Sequence, residues 1–571
     1  MNQKLENILN VSLDATEDEL RKADSLSTGY NWRDNTWEII VKYSGSLESI
    51  RNRYNVYIKE LLNYYAIIVA DKATIELISQ EDVIDYVEKP KSLYYQIERT
   101  KTAACVGSVR ADGNILSGKG VIVGVIDTGI DIFDNAFRNS DGTTRILNIY
   151  DQTTGEKYDK QSIDEYIRLN EDLSGGTFSY DNAPGVDNIM HGTDVSYIAA
   201  GSLGVAYEAD IIAVKMGYSI NNQFPRTTSL MDAIDYIIRK AIEYRKPVAV
   251  NISYGCNYGA HNGNTLLESF IDDISKSYRC VICVGSGNEA DKAIHFGGII
   301  NTGQVQTAYL SVGEYQSAID IQIWKNYWDT IDVMLINPRG EQIGIITEGR
   351  INRYETYNTE IITLLGEPSP YNIYQEIYIN LIPKTDYILS GIWQIVLMAG
   401  SIRAGEYNIW LPSSQALGYA TAFNNPTADG TITIPATARN CIAVGAYNAY
   451  TNSYAAFSGR GFDNSIRNVN AGVKPDITAP GVDISIARQR GNDITYRNVT
   501  GTSYAVPVVT GAAALLMQWG IVMGNDRYMY GEKLKAYLRR GARPLGTKMH
   551  AAAPNTVTGY GRLCIADSMP V

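Results

Sequence analysis

The chain has 571 residues, 45% of them hydrophobic and 20% charged, with a formal net charge of −12. That length exceeds one ordinary core and predicts two to four units at about 150 residues each. The acidic balance and the lack of a basic cluster argue against a nucleic-acid partner, and no run approaches the roughly 20 continuous apolar residues of a membrane span.

The opening "MNQKLENILNVSLDATEDELRKADSL" lacks a basic region leading into an apolar one, so synthesis in the cytoplasm without a secretory signal is expected. Next, "WEIIVKY" alternates as a strand and "LESIRNRY" reads as a helix. "VYIKELLNYYAIIVA" is strand material, "KATIELISQ" a short helix and "VIDYVEKP" a strand. The order strand, helix, strand, helix, strand before residue 91 predicts a small α+β unit that runs on into an extended linker, "SLYYQIERTKT"; the unit with the start of this tail is residues 1–96.

From "GKGVIVGVIDTGID" the pattern changes to continuous apolar strands followed by helices. The strands are "VIVGVID", "DIIAVKM", "PVAVNISYG", "RCVICVGSGN" and "CIAVGAY", with helices at "TSLMDAIDYIIRKAIEYR" and "NTLLESFIDDISKS". This alternation predicts an α/β fold, a parallel sheet with helices on both faces, whose ligand site lies at the carboxyl ends of the strands. Asp127, Ser253 and Asn288 stand at such ends. Between residues 293 and 430 short strands separated by turn residues predict an inserted antiparallel sandwich or jelly roll, which divides the α/β domain into residues 97–292 and 431–571.

The six cysteines are expected to be buried structural thiols, with Cys280 and Cys283 on opposite faces of one strand and so no redox or metal pair. Only four histidines limit the choice of a general base. Alone, Ser503 in "GTSYAVP" is a good helix cap, His191 a structural residue, Asp127 a turn former and Asn288 an Asx turn. A nucleophilic serine needs a base, a group that orients it and donors for the developing oxyanion, and these residues are the candidates for each role.

Taken together, "VIDTGID", "HGTDVSYIAAG" and "GTSYAVPVVTGAAALL", in that order, resemble the aspartate, histidine and serine motifs of the subtilisin-like serine proteases. "VNISYG", "GNEA", "AAFSGRG" and "PDITAPGV" resemble further stretches of that family. The resemblance implies a triad of Asp127, His191 and Ser503, with Asn288 in the oxyanion hole. It implies substrate pairing along Ser253, Tyr254 and Gly255, and a pocket wall of Gly285, Ser286 and Gly287. Asp194 stands where the family often has a second histidine; changed packing without loss of activity is expected there. The stretch "RNSDGTTRILNIYDQTTGEKYDKQSIDEYIRLNEDLSGGTFSYDN" is expected to be a surface excursion, and Pro507 to sit in the first turn of the serine helix.

The β insertion and the short first unit make the chain similar to the Csp germination proteases of spore-forming clostridia, the active CspB type above all. That resemblance implies a prodomain cut autocatalytically, here near Gln96, and retained in the active site. It also implies a protein substrate, the zymogen of a spore-cortex lytic enzyme, and a spore-associated location. No cofactor is implied; a structural calcium is common among relatives but has no motif here. The alternatives are a broad degradative intracellular protease and a non-catalytic scaffold like the triad-deficient relatives.

Overall fold

The computed structural model describes residues 4–17, 20, 29–61, 64–89, 103–106, 116–171, 183–219, 222–346, 351–368, 372–462, 472–490, 493–545 and 553–570. The chain forms two compact units, Met1–Tyr95 and Gln96–Val571.

In the first unit Thr36–Tyr43 alternates so that Trp37, Ile39, Val41 and Tyr43 are buried on one face. This strand pairs antiparallel with Tyr30–Asn31, Tyr65–Ala70 and Ile84–Glu88. The "VYIKELLNYYAIIVA" stretch is two paired strands, Tyr57–Leu61 and Tyr65–Ala70. A helix that the sequence reading passed over, Asn7–Asp14, adds Leu9 and Leu13 to the core. The helix Lys72–Ile78 starts at Asp71, whose carboxylate accepts from the Thr74 N–H at 2.8 Å.

The second unit is built on a nine-stranded sheet. In chain order its main elements are β1 (Ile122–Asp127), β2 (Ile146–Asp151), α1 (Lys160–Glu171), α2 (His191–Ala200), β3 (Asp210–Lys215), α3 (Thr227–Tyr244), β4 (Val248–Ile252), α4 (Leu266–Ser277) and β5 (Cys280–Gly285). After the insertion come β6 (Ile442–Asn448), β7 (Ile477–Pro480), the hairpin strands β8 (Ile484–Arg490) and β9 (Asp493–Val499), and α5 (Thr502–Met517). Parallel pairing gives the order β2, β3, β1, β4, β5, β6, β7. Strands β1, β4 and β5 are buried throughout, which is why their sequences do not alternate. One face packs on α2 and α5, the other on α3 and α4.

Two expectations are corrected. The stretch after Asp127 is no mere surface excursion: its "ILNIYD" is strand β2 of the central sheet, followed by an edge strand, Glu156–Asp159, and by α1. Polar residues in "LNIYD" disguise it; buried Asn148 accepts from the Tyr244 hydroxyl at 2.8 Å. Nor are all the cysteines thiols. Cys105 and Cys564 form a disulfide across 459 residues, with Cα atoms 4.9 Å apart. Cys280 and Cys283 are free, buried on opposite faces of the sheet, and burial pushes both thiols up to about 12.

The insertion is a sandwich of two antiparallel sheets. One has six strands, from His295–Ile299 to Ile351–Glu355, and the other five, including Val305–Val312 and Gly391–Ala399. Leu310, Ile321, Ile379, Trp393 and Leu397 share its core. Thr502–Val522 is long and apolar enough to cross a membrane, but 83% of its most apolar 18-residue stretch is buried in the α/β core.

Candidate active site

β1 ends on Asp127, which is 1% exposed. Its Oδ1 accepts from the Thr128 N–H at 2.8 Å and from His191 Nδ1 at 2.7 Å. An ionised carboxylate only accepts, so Nδ1 carries the proton and Nε2 of the neutral ring keeps its lone pair. His191 is the first residue of α2, and the glycine after it is sterically required: a Cβ on Gly192 would lie 2.3 Å from Gly129 O and 2.9 Å from Asp127 Cβ. Burial disfavours the charged ring, but the Asp127 carboxylate, with Asp194 and Asp187 behind it, outweighs this and raises His191 above its ordinary value.

Sequence reasoning passed over Asp187, which braces this turn. Its fully buried carboxylate accepts from the Thr128 hydroxyl, Met190 N–H, Thr193 N–H and Thr193 hydroxyl, all at 2.7–2.8 Å. No local pattern distinguishes it from any other loop aspartate.

Ser503 occupies the second position of α5, after Gly501 as the cap residue and Thr502. Neither hydroxyl caps the helix. The cap comes from across the sheet: Asn288 Oδ1 accepts from the Thr502 N–H and the Thr502 hydroxyl, each at 3.0 Å. With Oδ1 so held, Asn288 keeps its Nδ2 donors for the cleft. Pro507 is inside the helix, in its second turn and not its first. Its missing N–H leaves Ser503 C=O without an intrahelical partner. The Ser253 hydroxyl donates to that carbonyl at 3.3 Å, while Asn251 Nδ2 donates to Ser253 Oγ at 3.0 Å.

A cleft of ≈ 540 Å³ is lined by His191, Ser503, Asn288, Ser253, Tyr254, Gly255, Gly285 and Gly287. Ser286, just past the end of β5, is not in this wall: it is fully buried, with its hydroxyl 3.2 Å from Ser458 Oγ. Gln96 lies outside the described residues. Thr433 forms part of the lining, close enough to the two substrate-side segments that a Cβ on Gly255 or Gly287 would fall 2.4–2.5 Å from its side chain. The insertion also contributes, through Ser413, Ser414 and Gln415. Buried Glu289, next to Asn288, anchors them by accepting from the Ser414 N–H at 3.0 Å and its hydroxyl at 3.1 Å. Among the described residues no group of three or more His, Cys, Asp or Glu side chains could hold a metal ion.

A carboxylate, an imidazole and a serine at a helix start, with an amide donor beside them, are the parts needed for acyl transfer. The subtilase family profile matches residues 118–368 and 404–561. The chain belongs to the subtilase family. The profile of the Csp protease B prodomain matches residues 3–91 of this subtilase. Among solved structures, the CspB protease of Clostridium perfringens is 34% identical, covers 82% of this chain and 96% of its own, and superposes with a TM-score of 0.75. The subtilase-type proteinase RRT12 of Saccharomyces cerevisiae is 33% identical over 128 residues, 22% of this chain and 23% of its own length. Subtilisin E of Bacillus subtilis is 38% identical over 121 residues, 20% of this chain and 28% of its own. The chain thus spans less than a third of the length of these curated relatives. Family and homologues are those of a serine endopeptidase.

Proposed function

We propose that this subtilase is a self-processing serine endopeptidase that activates a protein zymogen by limited proteolysis. Ser503 attacks the scissile carbonyl and His191 takes its proton and passes it to the leaving amine. Asp127 holds the imidazole tautomer and stabilises the imidazolium. Asn288 Nδ2 and the Ser503 N–H receive the oxyanion at the start of α5, where the helix dipole favours negative charge. The observation that carries this reading is the single cleft shared by Ser503, His191 and Asn288, with His191 oriented from behind by buried Asp127. Subtilases need no cofactor for this chemistry.

The Csp-type prodomain supports two further steps: cleavage near Gln96 by the chain's own Ser503, and retention of the released prodomain as an inhibitor. The substrate on this reading is the zymogen of a spore-cortex lytic enzyme, met in the spore. The test compares the purified full chain with its Ser503→Ala variant, each incubated with such a zymogen, and sequences the N-terminus of every fragment. The expected result is two pieces from the parent chain, one uncut chain from the variant, and zymogen cleavage by the parent alone. Equal cleavage by both proteins overturns the assignment of Ser503, and an intact zymogen beside a processed parent overturns the substrate.

A further inference from the structure

Asp194 lies three residues after His191 on α2 and is fully buried. A carboxylate in that position requires partners, because an uncompensated buried charge is costly. Two arginines supply them. Arg488 Nε donates to Asp194 Oδ1 at 3.0 Å, its Nη2 reaches the same oxygen, and Arg497 Nη2 pairs with Oδ2. Arg488 donates in addition to Met190 O at 2.8 Å. Met190 is the cap residue of α2, in the left-handed region at φ 66°, immediately before His191. One guanidinium therefore grips the turn that carries the histidine at both ends.

Both arginines belong to the β8–β9 hairpin, where Ile486 pairs with Arg497 and Arg488 with Thr495. Arg488 and Arg497 are thus diagonal neighbours on one face of the hairpin. The chain runs from β9 straight into Gly501 and Ser503. Arg497 also lies against the Tyr504 hydroxyl, and the Tyr504 ring packs on that of His191 at 5.3 Å between centroids. Two routes, one ionic and one aromatic, therefore join the histidine helix to the segment that delivers the serine.

We propose that Asp194 is a positioning residue for the triad: clamped by Arg488 and Arg497, it holds the first turn of the His191 helix against the hairpin that leads into Ser503. The proposal rests on the triad reading above. It also gives His191 a signed electrostatic environment. The charged groups acting on the imidazole are Asp127, Asp187 and Asp194, the last of them paired with Arg488 and Arg497; Tyr504 lies against the ring, and Glu289 and Lys292 line the same cleft. Neutralising Asp194 leaves two guanidiniums uncompensated and disfavours imidazolium. Neutralising Arg497 does the opposite. A packing defect has no such sign.

The test uses the full chain carrying Ser503→Ala, labelled with carbon-13 in the rings of its four histidines. His191 is identified by the signal missing from a His191→Gln chain. Asp194→Asn is expected to lower the titration midpoint of His191 by about one pH unit and Arg497→Gln to raise it by about half a unit. In chains that retain Ser503, Asp194→Asn is expected to slow self-cleavage at least about ten-fold, with partial recovery in Asp194→Glu, which restores the charge. Midpoints unmoved, midpoints displaced in the same direction, or an unchanged cleavage rate each overturn the proposal. Should Asp194→Asn fail to fold, Arg497→Gln decides alone, since its predicted shift is upward. The titration needs no proteolysis, so a parent chain that never cleaves itself refutes self-processing and leaves the titration result standing.

Discussion

Asp127 and His191 set the pH at which the site can work. The base must be neutral, and its pKa is raised, so the acid limb of Ser503 reactivity should have its midpoint above the ordinary histidine value of about 6.5. The rate at which an organophosphorus fluoride acylates Ser503 across the pH range measures this directly; a midpoint below 6 would contradict the ion pair, taking about 6 as clearly under the ordinary value. The sign for stability is opposite. A raised histidine pKa contributes stability that is fully present below the unfolded pKa and is lost as pH rises through the folded one. On the proposed function Asn288 has two tasks at this scale, since the oxygen that caps Thr502 fixes the nitrogen that would meet the oxyanion. Asn288→Ala should lower kcat by roughly 10² to 10³ with little change in KM, read in steady-state hydrolysis of a peptide substrate. A change confined to KM would assign Asn288 to ground-state binding.

Helix α5 shows how an element is adapted to the site. Its proline removes the one intrahelical bond that Ser503 C=O would accept, and the Ser253 hydroxyl at the end of β4 takes that place. The serine helix is thereby tied to the strand expected to bind substrate. Ser253→Ala should destabilise the unit by about 1 kcal/mol. In a Pro507→Ala background, where a backbone N–H can again reach Ser503 C=O, the same change should cost less. A double-mutant cycle read by denaturant midpoints measures the difference, and additive effects would show that the two groups do not share that carbonyl. Strand β2 teaches the converse lesson about sequence. Its apolar positions are interrupted by Asn148 and Asp151, both buried, so periodicity alone reads as surface what is part of the central sheet.

Across the whole molecule the Cys105–Cys564 bond fastens a short segment near the start of the second unit to the residue that caps the short helix Ile565–Ser568, and Ala104 O accepts from the Ile565 N–H at 3.0 Å beside it. Closing so long a loop restricts the unfolded chain, and Cys105→Ser should cost about 2–4 kcal/mol in oxidised protein. The same loss should follow reduction of the parent chain, and the variant should be indifferent to reductant; a variant as stable as the oxidised parent would show that the bond contributes nothing. The insertion belongs to this scale as well. Glu289, the neighbour of Asn288, carries Ser414 of the insertion to the edge of the cleft, so the β sandwich forms part of the cleft wall.

The sequence by itself determined the parallel sheet and the β insertion, because both are written locally, as continuous apolar strands and as short strands between turn residues; Asp127, His191, Asn288 and Ser503 became candidates only together, through their likeness to the subtilase motifs, since each alone reads as a cap, a turn or a structural residue. What only the tertiary structure decided are the pairings that join distant segments. Arg488 and Arg497 with Asp194, Asn288 with the start of α5, Glu289 with Ser414, Ser253 with the carbonyl freed by Pro507, and Cys105 with Cys564 have no local signature. Each depends on which chain ends the packing of the sheet and helices brings within hydrogen-bonding or covalent reach, and that is a property of the folded core as a whole.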